Sequence, residues 1–400
     1  MTVVDDPSAA QQDAAAHVDP ATAQALFEEA RRLRRRRYRR RMAFAVFGGL
    51  IVIVFAALVV PSLRTPGTPL ANGQKQPTTS APSYPIPPEL VVWKNFDIEV
   101  ISSTSGLLIR TLATGVGLFR GVPRPSVSPS GIVYFDRGVE PTPNVPVQQV
   151  VSVPLQGGPL TVVAIGHQPT VSPNGRLLAY LADTDFSDGP EAIEVRNLTT
   201  GATTTWQYPN AGPDISGLTW TPDSRSLAFT ATTPTPDKTG ATLGSSVLDV
   251  STPSSSLEAA KPIPLSQCPS PPPWDFPGAP RTMAWAGYLS ATEGIGVCRR
   301  GSPLTGQSYK IELNVVAVAT GRVIAHLPAI SAQLDVGSVL DGSEGEVQVD
   351  AVGRHLAIVE VGTGIGTLYR WSLGNDLLPI SGSPVRVTSG ALSPAWVPMG

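Results

Sequence analysis

The chain of 400 residues has a net charge of −2, contains 41 Pro and 38 Gly, and has only 15% charged residues. This length suits two ordinary domains or one large repeat domain, and the composition favours many short strands joined by tight turns over a helical protein. Because arginines are concentrated before residue 42, the remainder is mildly acidic. That argues against a nucleic-acid partner, since a phosphate-binding face needs clustered Lys and Arg.

The first apolar segment predicts a single transmembrane helix. Ala43–Val60 contains no charged or strongly polar side chain, and as a helix it would cover about 27 Å, close to the hydrocarbon thickness of a bilayer. Arg31–Arg41 precedes it directly, whereas only Arg64 follows nearby, so residues 1–42 are predicted to be cytoplasmic and the rest extracytoplasmic. A cleaved signal peptide is the alternative, although its n-region would be unusually long and no clear small-x-small site follows.

The cytoplasmic tail contains a predicted helix that starts at Asp19-Pro20, with an N-cap acceptor followed by proline. The helix is interpreted either as a juxtamembrane continuation of the span or as a docking helix for a cytoplasmic regulator. Its apolar residues share one face at helical spacing: Leu26, Phe27, Ala30 and Leu33.

Residues 61–88 are rich in Pro, Ser and Thr and have no hydrophobic period, so they are predicted to be an extended linker. The two cysteines, Cys268 and Cys298, both follow the predicted span. A single pair in an oxidising compartment favours a disulfide over a metal site or a nucleophile.

One phrase recurs through residues 89–400. It reads VSPNGRLLAYL at Val171–Leu181. Across the copies, Pro followed by Asn, Asp or Ser and then Gly predicts a tight turn. Apolar residues before the turn and an alternating apolar–polar run after it predict a strand on each side. A worn copy, MAWAGYLSATEGIGVC, starts at Met283. The second positions of the six copies are Ser128, Ser172, Thr221, Ala286, Asp350 and Val397.

The repeats predict an all-β, six-bladed β-propeller. A second hairpin lies between successive phrases, and four strands per unit of about 40–50 residues is the signature of a propeller blade. Leu90–Asn95 and Ile98–Leu112 look like strands two, three and four of a blade, whereas Ala391–Trp396 looks like strand one alone. We therefore expect the N-terminal and C-terminal strands to pair and close the ring, which removes the open sheet edge.

The phrase at Ser172–Tyr180 fits the pattern S-P-[DN]-G-R-x-L-A-[FY] and resembles the TolB-type family of six-bladed propellers. The resemblance covers roughly residues 90–400 and is degraded where Ala286-Gly287 and Asp350-Ala351 replace Ser-Pro. It implies an exported bacterial protein that binds partners through the propeller face without being an enzyme. The predicted tether departs from the soluble periplasmic member, so that protein's partners are not carried over.

The sequence offers few candidates for catalysis. Its four histidines are scattered, and it has no G-x-S-x-G elbow and no P-loop, so no catalytic residue or cofactor is predicted. The histidines are His17, His167, His326 and His355.

Three weaker features concern binding. The segment containing Asp183, Asp185 and Asp188 is a weak metal candidate that departs from the calcium-loop pattern by one inserted residue, and a solvated turn is the plainer interpretation. Trp220, Trp285 and Trp396 are predicted at the end of strand one, where they pack between blades rather than present a ligand platform. The insert at Pro262–Pro280 is predicted to project a disulfide-pinned loop over one face.

The sequence therefore predicts a single-pass cell-membrane protein whose extracytoplasmic propeller binds a protein, glycan or cell-wall ligand, with a possible cytoplasmic regulator at the tail. The alternative is a metal-dependent hydrolase or lactonase whose metal sits in the propeller channel. Bound metal and activity lost on chelation would indicate the alternative.

Overall fold

The computed structural model describes residues 87–116, 123–142, 145–182, 192–209, 212–234, 241–252, 256–266, 268, 283–300, 308–327, 330–333, 347–350, 355–361, 366–373 and 384–398. All of them belong to one compact unit, Thr78–Gly400. Several predictions fall outside these residues: the tail 1–42, the apolar segment Ala43–Val60, the linker up to residue 86, and the three aspartates at 183, 185 and 188. Among the described residues, none belongs to a helix that is both long and apolar enough to span a bilayer.

The described strands form six antiparallel sheets, which are the six blades of the predicted propeller. Blade 1 contains β1 (Glu89–Lys94), β2 (Asp97–Ser102), β3 (Leu108–Ala113) and the last strand of the chain. Blade 2 contains β4 (Ser126–Val127), β5 (Ile132–Thr142), β6 (Val145–Pro154) and β7 (Thr161–Ile165). Blade 3 contains β8 (His167–Val171), β9 (Leu177–Ala182), β10 (Ala192–Asn197) and β11 (Thr203–Gln207).

Blade 4 contains β12 (Asp214–Trp220), β13 (Ser226–Pro234), β14 (Ala241–Asp249) and β15 (Lys261–Pro262), with a 3₁₀ turn at Leu257–Ala259. Blade 5 contains β16 (Ala284–Tyr288), β17 (Glu293–Arg300), β18 (Ser308–Ala317) and β19 (Val323–His326), and β20 (Ile330–Gln333) also pairs with β18. Blade 6 contains β21 (Val347–Asp350), β22 (His355–Val361), β23 (Gly366–Ser372) and β24 (Val385–Ser389). The final strand is β25 (Ala391–Trp396).

The ring closes as the sequence predicted. β25 pairs antiparallel with β1, with Leu90 opposite Trp396 and Lys94 opposite Ala391. The sheet order β25-β1-β2-β3 makes the C-terminal strand the innermost strand of blade 1. Two incomplete blades thus become one complete blade.

The recurrent phrase is the turn between the first two strands of a blade. In blade 3 the Ser172 hydroxyl accepts a hydrogen bond from the Leu177 N–H at 2.9 Å and donates one to Asn174 Oδ1 at 2.8 Å. Gly175 has a φ of +70°, which a residue with a Cβ adopts only at a cost. The phrase therefore recurs because its small polar residues satisfy the backbone of this turn.

The predicted alignment of the worn copy in blade 5 with the other copies was wrong. The Leu289 N–H donates to Glu293 O at 2.9 Å, as the Ser172 N–H donates to Leu177 O at 2.8 Å, so Leu289 and not Ala286 occupies the second position. Trp285 accordingly lies near the start of β16 rather than at its end. Its indole lies where a Cβ at Gly294 would be, which explains why glycine replaces an apolar residue there.

The described core consists of clusters that each join two neighbouring blades. One joins blades 1 and 2 through residues such as Trp93 and Phe135, and another joins blades 5 and 6 through residues such as Ile295 and Trp371. Comparable clusters join the remaining neighbours. Because apolar burial is the main source of stability, each blade depends on both of its neighbours.

The two ends of the propeller differ in their connections. The inner strands are β4, β8, β12, β16, β21 and β25. β4, β8, β12 and β16 each lead through a tight turn into the second strand of their blade, and in blade 1 the same end holds the last residue of β25 and the first residue of β1. We call that end the turn end. At the opposite end, the hairpin end, the second and third strands of each blade are joined.

Candidate functional site

A cavity of about 260 Å³ follows the centre of the ring and is lined by residues from all six inner strands. Its wall combines proline, valine and tryptophan with hydroxyl groups, one tyrosine and one guanidinium. The described lining residues include no acidic side chain. The polar residues among them are Arg124, Ser126, Gln168, Thr170, Ser172, Thr219 and Tyr288.

The hairpin end of this channel is shaped by a recurring backbone feature. Gln168, Gly217 and Ser393 have positive φ values of +52°, +67° and +45°. Each lies at the same place in its repeat, four residues before the second residue of the recurrent phrase. The pairing register shifts beside each of them, which marks a β-bulge in the inner strand. A non-glycine residue with positive φ costs about 1–2 kcal/mol, and bulges commonly re-aim side chains beside functional sites.

Arg124 occupies the same repeat position in blade 2 and is held by two blades. Its N–H donates to Asp136 Oδ1 at 3.1 Å, and its Nη1 donates to Gln168 Oε1 of blade 3 at 3.3 Å. Asp136 is fully buried and also accepts a hydrogen bond from Gln148 Nε2 at 2.5 Å. Burial raises the pKa of Asp136 to about 6, and the hydrogen bonds from Arg124 and Gln148 partly oppose this rise. We call Arg124, Gln168 and Gly217 the channel mouth.

The tryptophans of the channel wall bridge neighbouring blades, as the sequence predicted. Trp220 Nε1 donates to Thr170 O at 2.9 Å, and Trp285 Nε1 donates to Thr219 Oγ1 at 3.2 Å. Trp396 packs in the cluster that joins blades 6 and 1. These indoles also line the cavity, so their packing fixes the shape of the wall.

Tyr288 lines the channel at the last position of β16, next to the turn end, and packs beside Trp285 with the ring centroids 4.7 Å apart. Burial raises the pKa of Tyr288 to about 12, and the nearby Asp223 carboxylate raises it further. The phenol therefore stays neutral at physiological pH. A neutral phenol can donate a hydrogen bond to a carbonyl or hydroxyl group of a ligand.

The hairpin end extends unequally around the mouth. The hairpin strands of blade 2 have 11 and 10 residues and those of blade 4 have 9 each, whereas those of blades 1 and 3 have 6 each. In blade 5 the hairpin strands have 8 and 10 residues, and β20 adds a further strand to the extension. Long hairpins on some blades form an uneven rim beside the mouth.

The predicted disulfide reinforces this extension. Cys268 and Cys298 are bonded, with their Cα atoms 5.7 Å apart, and they stand 30 positions apart in the sequence. Cys298 lies on β17, so the bond fixes the connection between blades 4 and 5 to the long hairpin. Most of the Pro262–Pro280 insert lies outside the described residues, and its predicted projection stays a prediction.

The three histidines among the described residues do not share a site, and two of them have polar partners of their own. His355 Nδ1 and Ser372 Oγ are hydrogen-bonded at 2.9 Å, and His326 Nδ1 and Asn314 Oδ1 at 2.7 Å. His167 is buried on β8. Within the described ranges no three or more His, Cys, Asp or Glu side chains are grouped so that they could hold a metal ion.

The channel mouth is not predicted by any motif in the sequence. Arg124, Gln168 and Gly217 differ in chemistry and stand far apart in the chain, so no local motif marks them. The signal that would have found them is the repeat itself, because each lies four positions before the second position of its phrase. The backbone conformation at Gln168 had no sequence signal, since glutamine rarely adopts positive φ.

No protein-family model and no curated protein matches the chain. Among solved structures, TolB from Acinetobacter baumannii is similar, with 15% sequence identity and a TM-score of 0.49 over 78% of this chain. The matched region spans 66% of that TolB, just under two thirds of its length. A putative TolB from Agrobacterium tumefaciens is similar with 13% identity and a TM-score of 0.44, covering 76% of this chain and 90% of that one.

An oligogalacturonate lyase in complex with manganese is similar with 11% identity and a TM-score of 0.39, covering 71% of this chain and 75% of that one. The chain is thus a six-bladed propeller that is structurally similar to TolB at low identity. The similarity concerns the fold alone.

Proposed function

We propose that this chain is a non-enzymatic, membrane-tethered protein whose extracytoplasmic propeller binds a protein, glycan or cell-wall ligand at the channel mouth. A partner at the cytoplasmic tail, residues 1–42, forms the second part of the proposal. The observation that carries the proposal is the geometry of the channel mouth. Arg124 is hydrogen-bonded both to Asp136 of its own blade and to Gln168 of blade 3, and Gln168 has a strained backbone with positive φ.

The mouth has the properties of a binding site. Strained backbone persists only where the surrounding structure determines it, and such strain clusters at ligand sites. The guanidinium and amide groups of Arg124 and Gln168 offer directed hydrogen bonds, and the channel behind them offers indole and phenol surfaces. A concave surface with few fixed polar groups and aromatic walls suits recognition of a carbonyl-rich or hydroxyl-rich chain.

The hairpins around the mouth enlarge the surface that a macromolecule can contact. The extended strands of blades 2, 4 and 5 reach the same end as Arg124, and the disulfide holds one of them in place. Rigid scaffolds commonly carry binding residues on such peripheral segments.

The membrane placement in the proposal comes from the sequence. The apolar segment Ala43–Val60 has the length of a bilayer span, and the arginine run before it indicates a cytoplasmic N-terminus. This topology puts the two cysteines in a compartment where a disulfide persists.

The test compares two arginine variants of the full chain in its native membrane. Arg124→Ala removes the guanidinium at the mouth, and Arg225→Ala removes an exposed arginine at the turn end as a matched control. After crosslinking in cells, bound proteins and glycans are identified by mass spectrometry. We expect a ligand that is lost in Arg124→Ala and retained in Arg225→Ala.

Two results would overturn the proposal. One is an identical set of ligands for both variants. The other is a tightly bound metal together with a hydrolytic activity that chelation abolishes, which would make the channel catalytic. Deleting residues 1–41 tests the tail separately, because a cytoplasmic partner that depends on it should disappear.

A further inference from the structure

Three consecutive apolar side chains are exposed where the outermost strand of blade 1 begins. Leu107, Leu108 and Ile109 have relative accessibilities of 69%, 55% and 45%. The corresponding outer strand of blade 3, β11, instead exposes three threonines, Thr203–Thr205. We call Leu107–Ile109 the apolar corner.

The chain enters the propeller directly beside the apolar corner. The buried Ser103 donates from its N–H to Pro88 O at 2.9 Å and from its hydroxyl to Pro87 O at 2.5 Å. Ser103 belongs to the β2–β3 turn, in which the Ser102 N–H donates to Leu107 O at 2.9 Å. The last residues of the linker and the first residue of the apolar corner are therefore joined by one short hydrogen-bonded turn.

This turn is also fixed to the next blade. Gly106, with a φ of +67°, packs so closely on the backbone of Val387 in β24 that a Cβ there would overlap the Val387 carbonyl oxygen. The apolar corner thus has a defined place relative to the entry of the linker. It lies at the turn end, opposite to the channel mouth.

A lipid surface is the occupant that this position favours. Residues 61–86 separate the apolar segment from Pro87, and as the extended linker that the sequence predicts they reach no farther than about 80 Å, at about 3.1 Å per residue. Such a tether holds the corner at roughly millimolar effective concentration near the bilayer, so that even a weak apolar contact persists. Exposed apolar residues on an edge strand are otherwise a hazard for aggregation.

We propose that Leu107–Ile109 is a bilayer-contact surface that seats the propeller on the membrane with its turn end towards the lipid. The proposal rests on the membrane tether of the proposed function. It implies that the channel mouth and the long hairpins point away from the membrane, where a cell-wall or protein ligand can reach them.

The experiment uses the full chain reconstituted into vesicles of phosphatidylcholine and phosphatidylglycerol. A single cysteine at Leu108→Cys, with the native disulfide kept oxidised, carries an environment-sensitive fluorophore. Ile165→Cys on β7 is the matched control, because Ile165 is an exposed apolar residue on the outer strand of blade 2, with 48% accessibility, and lies at the hairpin end. Leu107→Cys is a second test position.

The expected result is a blue shift at Leu108 and Leu107 and loss of most of their fluorescence when nitroxide-labelled lipids are included, with neither effect at Ile165. Water-exposed fluorescence at both test positions would overturn the proposal. So would a blue shift that depends on a second copy of the chain, since a protein then covers the corner.

A label in the apolar segment, at Ala56→Cys, separates this failure from failure of the tether. If lipid quenches Ala56 but not Leu108, the tether stands and the bilayer contact is wrong. If lipid does not quench Ala56, the membrane tether itself is wrong.

Discussion

Blades 3 and 5 fold into the same four-strand pattern with different means of support. In blade 3 the turn is held by side-chain hydrogen bonds of Ser172 and Asn174, as the repeated phrase requires. In blade 5 the phrase is worn, but the Ser290 hydroxyl still accepts hydrogen bonds from the Thr292 and Glu293 N–H groups at 3.2 and 3.1 Å. A disulfide, a tryptophan over Gly294 and a backbone contact at Gly321 support this blade in addition. The comparison teaches that a propeller blade needs a fixed register, and that tertiary contacts can reinforce a polar turn whose sequence is worn.

The largest expected effect comes from two glycines at equivalent turns. Gly201 in blade 3 and Gly321 in blade 5 both have positive φ, but only at Gly321 would a Cβ overlap backbone, that of Pro264. Gly321→Ala should therefore lower the free energy of unfolding by about 4 kcal/mol, through conformational strain plus the overlap. Gly201→Ala should cost only about 1 kcal/mol, since its nearest neighbour is the flexible end of Arg196.

Urea denaturation of both variants measures the difference. If both variants lose the same free energy of unfolding, the contact between Gly321 and Pro264 does not support blade 5. The two blades would then not differ in the support of this turn.

Removal of the disulfide is the next largest effect. The double variant Cys268→Ala/Cys298→Ala should lose about 3 kcal/mol, as expected for a cross-link that closes a loop of 30 residues. Hydrogen exchange should show lost protection in blade 5 and little change in blade 3. Reducing the wild-type protein should reproduce the loss, and uniform loss of protection in every blade would contradict the local role.

The packing of Trp285 gives a third test. Gly294→Ala places a methyl group against the indole and should cost about 2 kcal/mol through overpacking. Gly244→Ala is the matched control, because a Cβ at that exposed strand position meets nothing within 4 Å. If both changes are neutral in thermal denaturation, then Trp285 does not set the register of blade 5.

The smallest effect is expected at the turn of blade 3. Asn174→Ala removes the acceptor of the Arg176 N–H and of the Ser172 hydroxyl, which should cost about 1 kcal/mol. Thr292→Ala in the worn turn of blade 5 should cost less, since its hydroxyl makes only a 3.4 Å contact with Ser290. A larger loss at Thr292 than at Asn174 would reverse the comparison.

The sequence predicted the fold through two kinds of residue. The Ser-Pro-Asn-Gly turn marked blade 3, and the unpaired ends at Leu90 and Trp396 predicted the closure. The predicted alignment of blade 5 was wrong by three positions, because Trp285 was matched to Trp220. The position of Trp285 depends instead on the absence of a side chain at Gly294, which leaves space for its indole. Register in that blade depends on tertiary packing, which a local pattern does not encode.

The candidate site was less accessible to sequence reasoning. The disulfide followed from cysteine counting, but Arg124 and Gln168 meet only because the ring brings blades 2 and 3 together. The buried Asp136 that fixes Arg124 looks in the sequence like any aspartate at the end of an apolar run. A site assembled from several repeats becomes visible only when the repeats are aligned in space.

The closure of the ring by β25 has a consequence for synthesis. Ala391 pairs with Lys94, so the inner edge of β1 has no partner until about 300 further residues have been made, which takes roughly 15–60 s at usual rates of translation. During that interval the nascent chain presents an unsatisfied strand. The propeller can therefore complete its ring only after β25 has been made, and its yield in the cell should depend on factors that shield incomplete chains.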